Sequence, residues 1–355
     1  MDNDIIKKIL EVAVYAPSGS NSQPWKFNVS GNEISLLALP EKDHPILNYR
    51  NRGTWIAHGA LIENIIIAAS HYGYRCNVGP LFPDATNPNL VTRISLEQES
   101  ISPDPLYASI TARASNRKPY KTSPIIGEQK AFLLTEARKG GEEYLIYIED
   151  RVKIQNLAHS VSANEIVMLE NRRLHDLFFD ELVWTAEEEK KKLAGLYVKT
   201  MELAPSKENA LKLFKHWGLM RIAILLGIPK KIAQENAVTY ASCAGAIVIA
   251  TDDRDEKFIH AGRMMQRLWL GATKLGLSGH LITGIFFLHQ RMVTGDTGIF
   301  FPPHIELINT AYTEAATIAV VPKGKIIALM LRIGDGGEPS AHSSRKAPII
   351  DYTII

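Results

Sequence analysis

Cysteine is scarce in this sequence. Cys76 and Cys243 are its two cysteines, too few for a disulfide framework or a set of zinc ligands. We expect both to be small, buried or half-buried thiols in a reducing cytoplasm. Long hydrophobic runs are missing as well. The longest, at residues 65–69, 222–228 and 315–321, fall well short of the ~20 residues that a membrane-spanning helix needs.

Net charge is also small. The chain has 355 residues, and its 40 Lys and Arg nearly balance its 38 Asp and Glu, which leaves a formal charge of +2. A chain with this balance has no strong overall field, so neither nucleic acid nor a membrane is predicted as a partner. Residues 1–8 begin acidic and turn amphipathic. They lack the basic start of a secretory signal, and the protein is expected to be cytoplasmic.

Motifs for side-chain catalysis and for metal binding are lacking too. The 11 histidines show no ligand spacing, and no Ser-His-Asp or paired-carboxylate arrangement stands out. The Gly-Asp-Gly-Gly stretch at residues 334–337 lacks the Lys-Ser/Thr of a phosphate-binding loop. The sequence therefore predicts neither a catalytic side chain nor a metal site.

Hydrophobic periodicity predicts both helices and strands. The predicted helices cover residues 5–14, 57–72, 128–137, 150–182 and 256–275. The predicted strands cover residues 23–27, 34–39, 91–96, 144–148 and 245–251, and a hairpin is predicted from residues 315–321 and 326–333. Residues 184–239 are charge-rich and helical, with a break at Pro205. This mixture predicts an α+β fold rather than a helical bundle or a β-sandwich.

An internal repeat links two of the predicted helices. The sequences of residues 59–74 and 262–277 align without a gap, so that Gly59 corresponds to Gly262 and Gly73 corresponds to Gly276. A duplicated unit would produce this match. Helices rich in small residues also resemble one another by chance, and both explanations stay open at this point.

Four stretches resemble the nitroreductase flavoproteins. Residues 17–25 read Pro-Ser-Gly-Ser-Asn-Ser-Gln-Pro-Trp, similar to the signature Pro-Ser-x-x-Asn-x-Gln-Pro-Trp of that family. Turn preferences account for residues 17–21 but give no reason for Gln-Pro-Trp. Residues 113–117, Arg-Ala-Ser-Asn-Arg, resemble the family's Arg-x-Ser-x-Arg element. Residues 334–348 resemble its closing strand and basic tail, and residues 262–284 resemble its buried helix and the segment that follows.

The resemblance implies that the chain binds one FMN. Three arginines would hold the phosphate, since the guanidinium fork suits a phosphate dianion, and two serines would add hydroxyl groups. The backbone of residues 282–284 would lie beside the flavin ring. Because the ring itself does the chemistry, no catalytic side chain is required. The implied FMN-binding residues are Pro17, Ser18, Ser20, Asn21, Arg113, Ser115, Arg117, Ile282, Thr283, Gly284, Ser344 and Arg345.

The distribution of these elements along the chain differs from that of an ordinary nitroreductase. Such proteins are homodimers in which both subunits clasp each flavin, whereas here one set of elements is split between residues 1–105 and 106–355. The chain thus resembles the Acg-type subgroup. It is expected to be a fused pseudo-dimer of two related halves, the first truncated, around a mixed sheet and long buried helices. A monomer and a dimer of such pseudo-dimers are both open.

The leading hypothesis for function is an FMN-dependent oxidoreductase that passes electrons from NAD(P)H to a small electron-poor acceptor, such as a nitro compound or a quinone. One alternative is a flavin-sequestering protein with little turnover. Another is a flavin dehydrogenase or dehalogenase for one metabolite, since a fold does not fix a function. Residues 184–239 are predicted either to fill the second core or to form a lid, with residues 214–226 over the ring and residues 187–192 in solvent.

Overall fold

Two separate β-sheets organise the chain. The computed structural model describes residues 3–353. The first sheet has the order β11-β1-β2-β4-β3 and the second the order β5-β8-β10-β9, while β6 and β7 form a short parallel pair. The strands are β1 Trp25–Ser30, β2 Glu33–Ala38, β3 Tyr74–Val78, β4 Leu90–Gln98, β5 Tyr144–Ile148, β6 Leu182–Val183, β7 Leu196–Tyr197, β8 Gly245–Thr251, β9 Ser278–Ile282, β10 Ile326–Gly334 and β11 Ile350–Tyr352.

Helices pack against both sheets, which makes the fold α+β, as the sequence predicts. No helix among residues 3–353 is long and apolar enough to cross a bilayer. The helices are α1 Asn3–Ala13, α2 Arg52–His71, α3 Tyr107–Ala112, α4 Gly127–Lys139, α5 Arg151–Glu170, α6 Arg172–Asp180, α7 Ala186–Lys192, α8 Pro205–Phe214, α9 Trp217–Leu225, α10 Ile228–Ala241, α11 Asp255–Lys274, α12 Gly284–Val293 and α13 Pro302–Ile318.

The two sheets share one topology. The run α1-β1-β2-α2-β3-β4 has the same element order as α4-β5-β8-α11-β9-β10, and the strand orders β1-β2-β4-β3 and β5-β8-β10-β9 correspond position by position. Neighbouring strands are antiparallel throughout both sets. We call the run α1 to β4 the first copy and the run α4 to β10 the second copy. The two differ in the connections between their strands. Where β1 and β2 are joined by a turn at Gly31-Asn32, β5 and β8 are separated by residues 149–244.

The two helices of the repeat cross at equivalent glycines. Helices α2 and α11 are both 20 residues long and lie at the same sequence offset as the repeat. A Cβ atom on Gly59 would lie 2.0 Å from the carbonyl oxygen of Ile259, and one on Gly262 would lie 2.1 Å from that of Ile56. The contact is therefore reciprocal, and only glycine allows the backbones to approach so closely. A reciprocal contact between matched positions favours duplication over chance similarity.

Buried polar groups fix this crossing. Glu63 of α2 accepts hydrogen bonds from Arg263 Nε (2.6 Å) and Arg267 Nη1 (3.1 Å) of α11. Asn64 Oδ1 accepts from Gln266 Nε2 at 2.7 Å. Buried groups are costly unless they are paired, so these bonds specify one register of α2 against α11.

Three predicted elements differ from the structure. The hairpin of residues 315–321 and 326–333 is wrong, because residues 315–318 end α13 and β10 pairs with β8 and β9 instead. The predicted helix 150–182 is two helices and a strand. Asn171 accepts from the backbone N–H of Arg173 and Leu174 and so caps α6. Pro205 begins α8 rather than breaking a helix, since a first-turn residue needs no N–H partner.

Candidate functional site

A cavity of about 380 Å³ lies where the two copies and the long insertion between β5 and β8 meet. The first copy contributes residues 17–20, 43–48 and 53–57, and the second contributes residues 265–288. The insertion adds residues from α5 and α6, with Leu196 and Tyr240. Much of the lining is apolar: Leu47, Ile56, Val161, Met168, Phe178, Met265, Trp269, Ile282, Phe287 and Leu288.

The loop after α1 enters this cavity in a strained conformation. Ser20, Asn21 and Gln23 have φ of 44°, 55° and 54°, a region that non-glycine residues rarely adopt. Specific bonds hold them there. The Gln23 amide donates to Ser18 Oγ at 3.0 Å, and Asn21 Nδ2 donates to the Ser344 carbonyl at 2.9 Å. Strain that surrounding contacts maintain is typical of functional loops.

A smaller cavity of about 120 Å³ adjoins the first and shares several of its lining residues, Ser18, Ser115 and Arg117 among them. Arg113, Arg117 and Arg345 line it together, although Arg345 lies more than 200 residues from the other two along the chain. Residues 113–117 are held beside β9, where the Asn116 amide donates to the Gly279 carbonyl at 3.0 Å.

These three guanidinium groups lack carboxylate partners. Within the part of the chain that the structure describes, none of them has an ion pair within 4.0 Å. They donate to neutral oxygens instead: Arg113 to the Tyr15 carbonyl (2.7 Å), Arg117 to the Thr200 carbonyl (2.9 Å) and Arg345 to the Ser344 carbonyl (3.1 Å).

Burial makes the unpaired charges costly. It lowers the pKa of Arg113 to about 9, assisted by the positive charge of Arg345, and it lowers the pKa of Arg345 to about 10. The Nε atoms of Arg113 and Arg345 are buried without a hydrogen-bond partner. A concentration of desolvated positive charge with free donors fits a multiply charged anion such as a phosphate ester.

Acidic side chains on the wall of the larger cavity have raised pKa values, whereas the pKa values of the arginines are lowered. Burial raises the pKa of Asp43, Glu165 and Glu181, which favours their neutral forms. Glu165 Oε1 accepts from Tyr240 Oη (2.6 Å) and Asn236 Nδ2 (3.0 Å), while its Oε2 is buried without a partner. Ser20 Oγ donates to Glu181.

His280 is the neutral histidine of this wall. Burial lowers its pKa well below 6.5, and the charges of Arg332 and Arg117 lower it further. Its Nδ1 accepts from Arg332 Nε at 3.2 Å. The larger cavity therefore combines an apolar lining with polar groups whose pKa shifts favour their neutral forms, and its arginine, Arg117, also lines the small cavity.

The insertion covers the site with a different part than the sequence suggests. Phe178, Glu181 and Leu196 line the large cavity, whereas residues 214–226 do not. The side chains of Phe214 and Trp217 pack with α6 in a separate apolar cluster. The expected solvated face at residues 187–192 is also interrupted, because buried Glu189 accepts from the Ser344 amide at 2.6 Å.

The structure brings eleven of the twelve predicted site residues to the two cavities. Ser344 is the exception, and it acts through its backbone on Asn21 and Glu189. Gly284 approaches α5 so closely that a Cβ would lie 2.4 Å from Asn164 Oδ1. The sequence prediction missed several lining residues because they stand singly, outside any motif: Asp43, Asn164, Glu165, Glu181, Tyr240 and His280. Among the described residues, no cluster of three or more His, Cys, Asp or Glu is placed to hold a metal.

Comparison with known proteins gives partial matches. No family model matches the chain. A protein of Mycobacterium tuberculosis strain H37Rv, provisionally named NAD(P)H nitroreductase Rv3131, is 26% identical over 144 residues, 39% of this chain and 41% of the relative. An uncharacterized protein of strain CDC 1551, MT1398, is 25% identical over 287 residues, 78% of this chain and 38% of the relative. The chain thus spans about two fifths of the length of these relatives.

Solved structures give weaker likenesses. A nitroreductase with bound FMN from Bacteroides fragilis matches with a TM-score of 0.37 and 11% identity, over 68% of this chain and 94% of its own. The NADPH:FMN oxidoreductase of Vibrio harveyi in complex with NAD+ matches with a TM-score of 0.33 and 12% identity, over 66% and 70%. At these scores and identities, neither likeness says what this chain binds.

Proposed function

We propose that this chain is an FMN-dependent oxidoreductase of the nitroreductase type. The main support is a group of three arginines at one end of a continuous cavity, the buried Arg113 and the half-buried Arg117 and Arg345. Among residues 3–353, none of them has a carboxylate within 4.0 Å. FMN has a phosphate dianion at one end and a flat, largely apolar ring at the other. The cavity has the same order, with cations in the small part and apolar side chains in the large part. The provisional name of the relative Rv3131 agrees with this chemistry.

Each predicted residue has a place in this proposal. Ser115 adds a hydroxyl group to the arginines, and Ser344 positions Asn21 through its carbonyl. The neighbouring loop residues Pro17, Ser18 and Ser20 border the passage between the two cavities. The segment Ile282, Thr283 and Gly284 lines the large cavity, and its backbone would lie beside the ring, with Gly284 adding no side chain there.

The flavin would supply two-electron transfer from NAD(P)H to a small electron-poor acceptor, of the nitro or quinone type. Glu165 adds a group that the sequence did not indicate. Burial raises the pKa of Glu165, which favours its protonated form, and Tyr240 and Asn236 donate to its Oε1 atom and leave Oε2 toward the cavity wall without a partner. A proton held at Oε2 is available to an acceptor that gains negative charge on reduction.

Flavin sequestration is the second candidate. Leu193 supports it, because its carbonyl accepts from Gln23 Nε2 at 2.7 Å and ties the insertion to the loop of residues 17–23. Phe178 and Leu196 fill part of the same opening. A ring under this cover would exchange slowly and meet nicotinamide rarely. The rate of flavin reduction therefore separates the two functions.

The shared topology of the two sheets supports a fused pseudo-dimer. In this proposal residues 1–105 form a truncated first half and residues 106–355 the second, with residues 184–239 as the outer part of the insertion. The C-terminal strand β11 pairs in parallel with β1 of the first half. This pairing brings Arg345 beside the loop of residues 17–21.

The decisive experiment compares FMN with riboflavin, which lacks the phosphate. The purified chain is titrated with each flavin, and bound FMN is then mixed anaerobically with NADH or NADPH. We expect FMN to bind at least about 100-fold more tightly, since each charge-assisted bond contributes ~1.5–3 kcal/mol. Reduction within seconds indicates the oxidoreductase, whereas tight binding with reduction over hours indicates sequestration. Equal affinity for both flavins would refute the assignment of the phosphate.

A further inference from the structure

An exposed apolar face lies on the outer side of the insertion. It consists of five residues of α8, α9 and the following turn, all large and aliphatic. Their exposed fractions are 58% for Leu213, 42% for Leu219, 56% for Ile222, 87% for Leu225 and 73% for Leu226. The opposite side of α9 is buried, with Met220 and Ala223 in the apolar cluster beneath. The helix is thus already anchored, and its second apolar side is not covered by any of residues 3–353.

The segment that carries this face is basic, although Glu188 lies near Lys215 and Glu235 lies near Lys231. No Asp or Glu occurs in residues 209–234, which contain Lys212, Lys215, Arg221, Lys230 and Lys231. Lys212 is paired with Glu208 at 3.1 Å. The other four are exposed, and the structure gives them no carboxylate within 4.0 Å among the described residues. The formal charge of the whole chain is only +2, so the overall charge does not reveal this basic segment.

We propose that this apolar face docks on an anionic lipid bilayer. Aliphatic side chains surrounded by lysine and arginine are the composition of helices that lie in the plane of a membrane surface. Leu225 and Leu226 are the most exposed of the five and enter the interface, while Lys215, Arg221, Lys230 and Lys231 contact acidic headgroups. The chain lies on such a surface and does not span it.

A second copy of the chain fits this face less well. A two-fold contact would place each patch against itself. Arg221 and the neighbouring lysines would then meet their own equivalents, and like charges across an interface are unfavourable. A bilayer rich in acidic lipids supplies the complementary sign. The proposal is independent of flavin binding, because none of these residues lines either cavity.

The test is co-sedimentation of the full chain with vesicles. Extruded vesicles of phosphatidylcholine and phosphatidylglycerol in equal parts are compared with pure phosphatidylcholine, at low and at high salt. We expect binding to the mixed vesicles and its loss at high salt, where headgroup attraction is screened. The double variant Leu225→Ser/Leu226→Ser and the triple variant Arg221→Gln/Lys230→Gln/Lys231→Gln should each bind about tenfold more weakly.

The matched control changes two exposed aliphatic residues elsewhere, Ile126 (61%) and Val152 (63%), to serine, and should bind like the wild type. Equal binding of wild-type protein to neutral and acidic vesicles would overturn the proposal, as would no binding to either. Light scattering tests whether a second molecule of this chain covers the face instead of a bilayer. A wild-type dimer that the Leu225→Ser/Leu226→Ser variant converts to a monomer would show that it does. If a variant fails to fold, the salt dependence of the wild type still decides.

Discussion

The arginines of the small cavity show how a single residue can favour ligand binding while it lowers the stability of the protein without ligand. Burial and the charge of Arg345 lower the pKa of Arg113, and burial lowers the pKa of Arg345 itself more than nearby Tyr15 and Glu189 raise it. We predict that Arg345→Met weakens FMN binding about 10- to 100-fold, the equivalent of one charge-assisted bond. The melting temperature without flavin should stay the same or rise, because one buried unpaired charge is removed.

Fluorescence titration and thermal melting measure the two effects. Arg151→Met is the matched control, since Arg151 also donates to backbone carbonyls, those of Cys243 and Ala241, but lies outside both cavities. It should leave FMN affinity unchanged. An Arg345→Met protein that binds FMN as tightly as the wild type would place the phosphate elsewhere.

Glu165 gives a prediction about pH. Burial raises its pKa above 4.5 in the folded chain, so the folded state holds this proton more firmly than the unfolded state does. The stability that protonation contributes is present at low pH and is lost as pH rises through the folded pKa. Glutamine keeps an acceptor for Tyr240 and Asn236 and cannot ionise. We therefore predict that Glu165→Gln becomes more stable than the wild type as pH rises.

Melting curves of both proteins without flavin, between about pH 5 and about pH 8, test this. Other titrating groups, such as His58 with a pKa lowered to about 4 by burial, change both proteins alike and cancel in the difference. A difference that stays constant over the range would show that Glu165 titrates like an exposed carboxylate.

At the scale of elements, the crossing of α2 and α11 depends on two glycines. Gly59→Ala would place a methyl group 2.0 Å from the Ile259 carbonyl oxygen, so the helices must separate. We predict a loss of about 3 kcal/mol in the free energy of unfolding, the cost of overpacking a tight contact. Gly218→Ala in α9 is the control, because nothing lies within 4 Å of its Cβ position. It should gain about 0.5–1 kcal/mol.

Chemical denaturation measures both variants. Equal stability of Gly59→Ala and the wild type would mean that the two helices are not in close contact in solution.

For the whole molecule, we predict one FMN per chain. Residues 106–355 contain the three arginines and residues 1–105 contain the loop of residues 17–25, and each set occurs once. Because both copies belong to one chain, the site is complete in a monomer, held at high effective concentration by the linkage. Extracted flavin is quantified against protein under saturating FMN, with the mass from light scattering. A ratio near two would reveal a second site that the single set of arginines does not explain.

Much of the local structure follows from the sequence. The strands at residues 144–148 and 245–251 are predicted with their observed bounds, and the predicted helix 256–275 agrees with α11 to within one residue, whereas α2 begins at Arg52, before its predicted start at residue 57. Errors arise where a short apolar run is compatible with both the helical and the strand periodicity. Residues 315–318 look like a strand alone, but Ile308, Ala311 and Ala315 continue the buried side of α13.

The sequence by itself determined the α+β class, the repeated helices and the cavity residues that belong to short motifs, because backbone periodicity and short motifs are local properties. Only the tertiary structure decided that residues 17–21, 113–117 and Arg345 meet, that α6 and the segment around Leu196 cover the cavity, and that Glu165 lies in its wall. These features depend on packing between segments far apart in the chain. Burial, which sets their pKa values, exists only once that packing has formed.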